Sequence, residues 1–304
     1  MAAVDSWTDL LDPSPEELRA ALPAGLHESA LEQLEAPAQH DDEPRPKLEN
    51  HGDYVFGVFL IPVVIPEKDL VYYQELDLIV TGHALLTVRK TPESGRAPFE
   101  SQSARDACRK HEPLGMIVYH LVDDIAEHYL DLVDGFNNEI DELEDNVEAW
   151  GNEQVRQRLS NLRHDLLHIR RTLSPMRDAV RAVVDNRIEL DSGELFSHEV
   201  EVAFGAAYDK FLRAFEGLEL SRDLVASVRD YHVAKVANDQ NEVMKRLTVI
   251  ASVLLHPTFI VGLYGQNFRH IPELRWAFGY WWSWGWIVAT TIAQLTFFRW
   301  KRWI

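Results

Sequence analysis

The chain has 304 residues, enough for one large domain or two ordinary ones, and carries 49 Asp+Glu against 30 Lys+Arg, a formal net charge of −19. An acidic balance of that size excludes nucleic acid as a partner, because phosphate neutralisation needs a basic surface; it favours cations instead. The acidic excess belongs to the first 245 residues: from 247 to 298 the only charged side chains are Arg269, Glu273 and Arg275, and tryptophans crowd between Trp276 and Trp303.

The N-terminal stretch MAAVDSWTDLLDPSPEELRAALP is acidic and has no apolar core, so it does not read as a signal peptide. The single cysteine, Cys108, cannot close an intramolecular disulfide, and the polar part of the chain needs no oxidising compartment. The β-branched and aromatic runs 54–65, 71–80 and 84–90 are bounded by Gly, Pro and charges and predict strands of a mixed α/β domain over residues 1–110. A polar linker, TPESGRAPFESQSARD, precedes helical sequence. In 118–147 the apolar residues Val118, Leu121, Ile125, Tyr129, Leu132, Phe136, Leu143 and Val147 form one stripe, opposite an acidic one running from Asp124 to Glu148. A basic helix over about 153–185 completes an antiparallel helical hairpin within 111–196. His164 and His168 stand four apart on it, a spacing that can chelate zinc, but Asp165 points elsewhere and they read as a solvent-facing pair. The HDDE at 40–43 reads as a solvated turn. No phosphate-binding lysine motif, nucleophile elbow or pair of carboxylates in an apolar setting is legible, so no enzymatic site is expected.

No proline occurs between Pro175 and Pro257, and residues 197–264 predict one long helix weakened only by Gly205 and Gly217. Its last part, Leu247–Tyr264, carries no formal charge, and neither does Tyr280–Phe298; roughly 20 apolar residues at about 1.5 Å rise cross a hydrocarbon core of ~30 Å. YWWSWGW and FFRWKRW supply aromatic belts. The C-terminus thus predicts a two-helix membrane hairpin: a first span ending the long helix, a loop over 265–279, and a second span with a basic tail over 280–304. Lys245, Arg246, Arg299, Lys301 and Arg302 flank the spans against Arg269 and Arg275 in the loop, which puts both termini and the acidic domain in the cytosol.

On the first span Asn241, Met244, Thr248, Ala251, Leu255, Thr258, Gly262 and Gly265 recur at steps of three and four, a mostly small or polar face. Such a face either packs closely against another helix or lines a water-filled conduit. A conduit needs several copies around one axis, hence a homo-oligomer.

The segment NEVMKRLTVIASVLLHPTFIVGLYGQNFRHIPELRWAFGYWW resembles the C-terminal signature of the CorA-type divalent-cation channels, the magnesium and cobalt transporters. Their Tyr-Gly-Met-Asn-Phe is matched by Tyr264, Gly265, Gln266, Asn267 and Phe268, and their Met-Pro-Glu-Leu by Ile271, Pro272, Glu273 and Leu274. LHESALEQL and LIVTGHALLTVRK are similar to the family's N-terminal domain. The resemblance implies a funnel-shaped homopentamer in the cell membrane that conducts Mg²⁺, and also Co²⁺, passively, with no cofactor beyond its transported ion. It places the pore at Asn241, Met244, Leu247 and Thr258, and the selectivity mouth at Gly265, Gln266 and Asn267, whose amides would hold the water around a cation that dehydrates reluctantly. Three departures stand out. Gln266 replaces methionine, Arg269 lies where the loop is often acidic, and the family's cytosolic Asp-x-Tyr-Asp reads Ala206-Ala207-Tyr208-Asp209. The alanine removes a carboxylate from the implied magnesium sensor, leaving Asp209 and Asp230. A zinc-transporting relative and a non-conducting membrane-anchored cation sensor are the alternatives.

Overall fold

The computed structural model describes the chain apart from residues 1–6, 39–41, 66–69, 93–98, 110–111, 192, 268 and 270, and describes only the backbone at Val64, Ile65, Leu70 and Leu274. It divides into two compact units, Met1–Arg229 and Asp230–Ile304.

The first unit is built on a five-stranded sheet of order β1-β5-β4-β3-β2. The strands are β1 (Trp7–Leu11), β2 (Lys47–Asn50), β3 (Tyr54–Ile65), β4 (Leu70–Thr81) and β5 (Leu85–Lys90). β3 and β4 pair antiparallel along their whole length, while β1 joins β5 in parallel at the edge. The central strands read as nearly unbroken apolar runs because helices cover both faces. On one face Tyr54, Phe56, Val58, Ile79 and Val88 pack with Leu18 of α1 (Pro15–Ala21) and with Ala30 and Leu34 of α2 (Glu28–Glu35). On the other, Val55, Phe59, Tyr73 and Leu78 meet the apolar stripes of α4 (Leu114–Asn146) and α5 (Asn152–Val184). Hydroxyls tie these layers: Tyr129 Oη donates to Leu60 O at 3.0 Å, and Thr172 Oγ1 donates to Tyr73 Oη at 2.8 Å.

The short helix α3 (Gln102–Ala107) forms inside the stretch expected to be a polar linker. Phe99 is buried just ahead of it, and that anchor gives the segment a surface to fold on. Helix α2 forms in LHESALEQL, one of the stretches similar to the family's N-terminal domain, whereas β1, β2 and α1 form where the sequence pattern predicted no individual element.

α6 (His198–Tyr264) has its first part in this unit, where it packs on α4. Lys210 bridges Asp123 at 2.8 Å and Glu127 at 2.5 Å, and Ser221 Oγ donates to Asn137 Oδ1 at 2.8 Å. Gly217 is there for contact, since a Cβ on it would stand 2.8 Å from Val133 Cγ1.

Two expectations need correction. His168 is not solvent-facing: its Nε2 lies 3.2 Å from Glu43 Oε1, both side chains are largely buried, and the ring stacks on Tyr73. Glu43 is therefore no part of a solvated turn, while His40 and Asp41 lie outside the described residues. Only His164 of the histidine pair is exposed. The second correction concerns paired carboxylates. Glu75 and Asp77 alternate along β4, so they share a face of the sheet, and both are buried with Lys90. Lys90 Nζ lies 2.7 Å from Glu75 Oε1, 2.6 Å from Asp77 Oδ2 and 2.6 Å from Gln33 O. Burial, reinforced by Glu75, holds the Asp77 carboxyl well above the usual carboxylate range.

The second unit contains the rest of α6, a short 3-10 turn at Pro272–Arg275, and α7 (Gly279–Trp300). Among the described residues α6 is the one helix long and apolar enough to cross a membrane. α7 is uncharged from Gly279 to Phe298, yet much of its bulk is Trp and Tyr, whose rings carry a polar handle and count little as hydropathy.

Candidate functional site

Within the second unit α7 lies against one face of α6. Gln294 Nε2 contacts Ser252 O at 3.3 Å and also reaches His256 Nδ1. Val249 is buried on that face, and Ser252, Val253, Pro257, Ile260 and Tyr264 are half-buried. At about 100° per residue these positions centre on one side of the helix, and the small or polar stripe centres on the opposite side. Asn241, Met244, Leu247, Thr248, Ala251, Leu255, Thr258 and Gly262 are all exposed. The stripe therefore does not serve packing between α6 and α7.

The stripe's threonines are satisfied without a partner helix. Thr248 Oγ1 donates to Met244 O at 2.8 Å, and Thr258 Oγ1 donates to Leu254 O at 2.7 Å. Each hydroxyl oxygen keeps lone pairs for something else. Pro257 causes no break in α6, and a proline is tolerated where neighbouring groups resatisfy the backbone.

Where α6 ends, Gly265 N donates to Val261 O at 2.8 Å, and Gly265, Gln266 and Asn267 follow as exposed residues. Phe268 of the signature lies outside the described residues. Glu273 is half-buried in the 3-10 turn, its carbonyl accepting from Trp276 N at 3.2 Å. A Cβ on Gly279 would fall 2.2 Å from Glu273 O, so this closure of the loop needs a glycine. Trp276, Phe278, Trp282 and Trp286 form a run of ring contacts from the loop into α7.

The carboxylates left in the implied sensor are apart in the chain and exposed: Asp209 belongs to the first unit, and Asp230 opens the second. Ala206 is exposed and offers no ligand atom. Along α4, Asp131, Asp134, Asp141 and Asp145 are exposed, whereas Glu127 is bound to Lys210. Cys108 does not read as a nucleophile, because burial, and then Glu112, push its thiol up to about 11.

The family model for CorA-like Mg2+ transporter protein matches residues 4–302, nearly the whole chain. The chain belongs to that family. YfjQ of Bacillus subtilis (strain 168) is 30% identical over 98% of this chain and 89% of its own length. The cobalt/magnesium transport protein CorA of Thermotoga maritima is 28% identical over 92% of this chain and 77% of its own. Among solved structures, the complete CorA magnesium transporter of Methanocaldococcus jannaschii superposes with a TM-score of 0.80 at 22% identity, covering 98% of this chain and 91% of that one. CorA-family proteins are membrane transporters of divalent cations and not enzymes, so the buried Glu75, Asp77 and Lys90 are read as structural.

Proposed function

We propose that the chain is a passive channel for hydrated divalent cations, Mg²⁺ first and Co²⁺ also, working as a homopentamer in the cell membrane. α6 and α7 supply the two spans, and both termini and the acidic domain are cytosolic. The observation that carries this reading is the exposed stripe on α6, turned away from α7 and continuing to Gln266 and Asn267. Two helices cannot enclose a conduit; five copies of that face around an axis can. Met244 and Leu247 are both exposed and would form its apolar constriction, since rings of such side chains gate by dewetting.

The mouth follows from the ion's chemistry. Mg²⁺ keeps its waters, so neutral amides that accept hydrogen bonds from those waters select it without stripping it. Gln266 would add a second amide ring beside that of Asn267. No cofactor or ATP is needed: a dication entering down a ~100 mV negative-inside potential gains about 4.6 kcal/mol. Names borne by relatives point to the same cargo, magnesium and cobalt.

The test is divalent flux into proteoliposomes under an imposed potential, with Mg²⁺, Co²⁺ and Zn²⁺ supplied separately. Wild-type protein should pass Mg²⁺, and Asn267→Ala should lower that flux about tenfold or more, a ratio worth ~1.4 kcal/mol. A Zn²⁺ flux well above that of Mg²⁺ would reassign the cargo. An intact oligomer that passes no ion would sink the channel and leave a membrane-anchored sensor.

A further inference from the structure

The family reading leaves one cluster unused. Cys108 follows α3, Glu112 lies in the connection to α4, and His120 sits in the second turn of α4. The thiol sulfur, a carboxylate oxygen and an imidazole nitrogen lie within 4.8 Å of one another. Each side chain is half-buried, so the donors meet in a recess and not on an open face.

The hydrogen bonding leaves these donors short of partners. Among the described residues His120 Nε2 is a buried atom without a hydrogen-bond partner, although Glu112 Oε2 is 3.4 Å away. The ring and the carboxylate are near each other but not aligned to bond. Glu112 Oε2 is itself held in place, accepting from Arg109 N at 2.8 Å. Among the described residues the thiol hydrogen-bonds to Ala104 O at 3.0 Å, as donor, which leaves the sulfur lone pairs for a metal.

A buried imidazole nitrogen without a partner, beside a carboxylate and a sulfur, is the donor set of a borderline-soft cation. Magnesium would refuse it, because it demands oxygen ligands and gives up water reluctantly. The geometry points to a cytosolic binding site for a first-row transition dication of the Zn²⁺ or Co²⁺ type, ligated by Cys108, Glu112 and His120 with water completing the shell. The site lies wholly in the first unit and does not depend on the conducting face proposed on α6.

Because the chain has a single cysteine, any sulfur–metal signal reports this position alone. Purified full-length protein in detergent, stripped with chelator and titrated with Co²⁺, should develop thiolate-to-cobalt charge-transfer absorption. About one equivalent of Zn²⁺ per chain should bleach it by displacing the cobalt, and millimolar Mg²⁺ should not. Cys108→Ser should abolish the band. His120→Ala and Glu112→Gln should each weaken Co²⁺ binding at least about tenfold, the lower end of what losing even an outer partner costs a metal site. As a measurement independent of cobalt, Zn²⁺ should slow labelling of Cys108 by a thiol reagent in wild-type protein and not in folded His120→Ala. No charge-transfer band in the wild type would overturn the site. So would a band, or thiol protection, that persists unchanged in the His120 and Glu112 variants.

Discussion

Phe59 and Phe259 have the same side chain and opposite fates. Phe59, in the sheet, is fully buried, while Phe259, on α6, is 68% exposed. The contrast extends to whole regions. The first unit hides most of its large apolar residues; the second wears Leu254, Leu255, Phe259, Trp281 and Trp300 outside. An isolated chain has no solvent for that second surface in water. Exposed apolar area on this scale marks contact with lipid or with other copies of the chain. On the proposed reading the polar stripe along α6 turns inward to the conduit and leaves the apolar remainder to lipid and neighbouring copies.

Substitution of Lys90 should break the first region hardest. Its Nζ serves Glu75, Asp77 and Gln33 O at once, so Lys90→Met leaves two buried carboxylates without a cation, and stranding even one buried charge costs about 3–5 kcal/mol. Asp77→Asn should cost much less, because Lys90 keeps Glu75. The pH dependence sharpens the test. The Asp77 carboxyl is raised in the fold, so the native state holds its proton more tightly than the unfolded chain does. Stability from this group is complete below the ordinary value of 3.8 and is lost as pH climbs through the raised one. Urea melts across that range should show the decline in wild-type protein and a flatter profile in Asp77→Asn.

A smaller effect separates the two faces of the second region. Thr258 and Thr290 both donate to a carbonyl one turn back, Leu254 O at 2.7 Å and Trp286 O at 2.8 Å, so Thr→Val removes the same bond from each helix. Only Thr258 lies on the proposed pathway. Thr258→Val should lower Mg²⁺ flux about three- to tenfold, ~1 kcal/mol, and Thr290→Val should leave it near wild type. Equal loss in both would make the stripe a packing surface after all.

How much of this the sequence discloses depends on whether neighbours in space are also neighbours in the chain. The strands at 54–65 and 70–81 and the two long helices of the first unit are legible because periodicity is local: one residue in two, or one in three and four. The stripe on α6 is legible for the same reason, and the structure adds which way it faces. What escapes is pairing at a distance. Glu75 stands opposite Lys90 in the register of β4 and β5, and that register is fixed by the whole sheet. Glu43 reaches His168 across the fold, and Cys108 and His120 converge because α3 and the start of α4 pack together. The alternation Glu75, Asp77 in an apolar strand was the one local hint, since two acids facing a covered side demand a cation.

The contact between α6 and α7 should matter least of all. Gln294 sits in an apolar helix, where a polar side chain pointing at its neighbour looks like glue. Its geometry argues otherwise. His256 Nδ1 lies 3.2 Å from Ser252 O and also near Gln294 Nε2, and one nitrogen cannot both donate to the carbonyl and accept from the amide. Gln294 Oε1 meanwhile is buried without a hydrogen-bond partner among the described residues. Removing the amide gives up a compromised hydrogen bond and relieves an orphaned oxygen, and polar contacts between membrane helices average only ~0.6 kcal/mol. Gln294→Leu should therefore shift the thermal stability of the detergent-solubilised oligomer by no more than a few degrees and leave flux unchanged. Collapse of the oligomer in that variant would show that the α6–α7 contact, small as it is, is needed to hold the copies together.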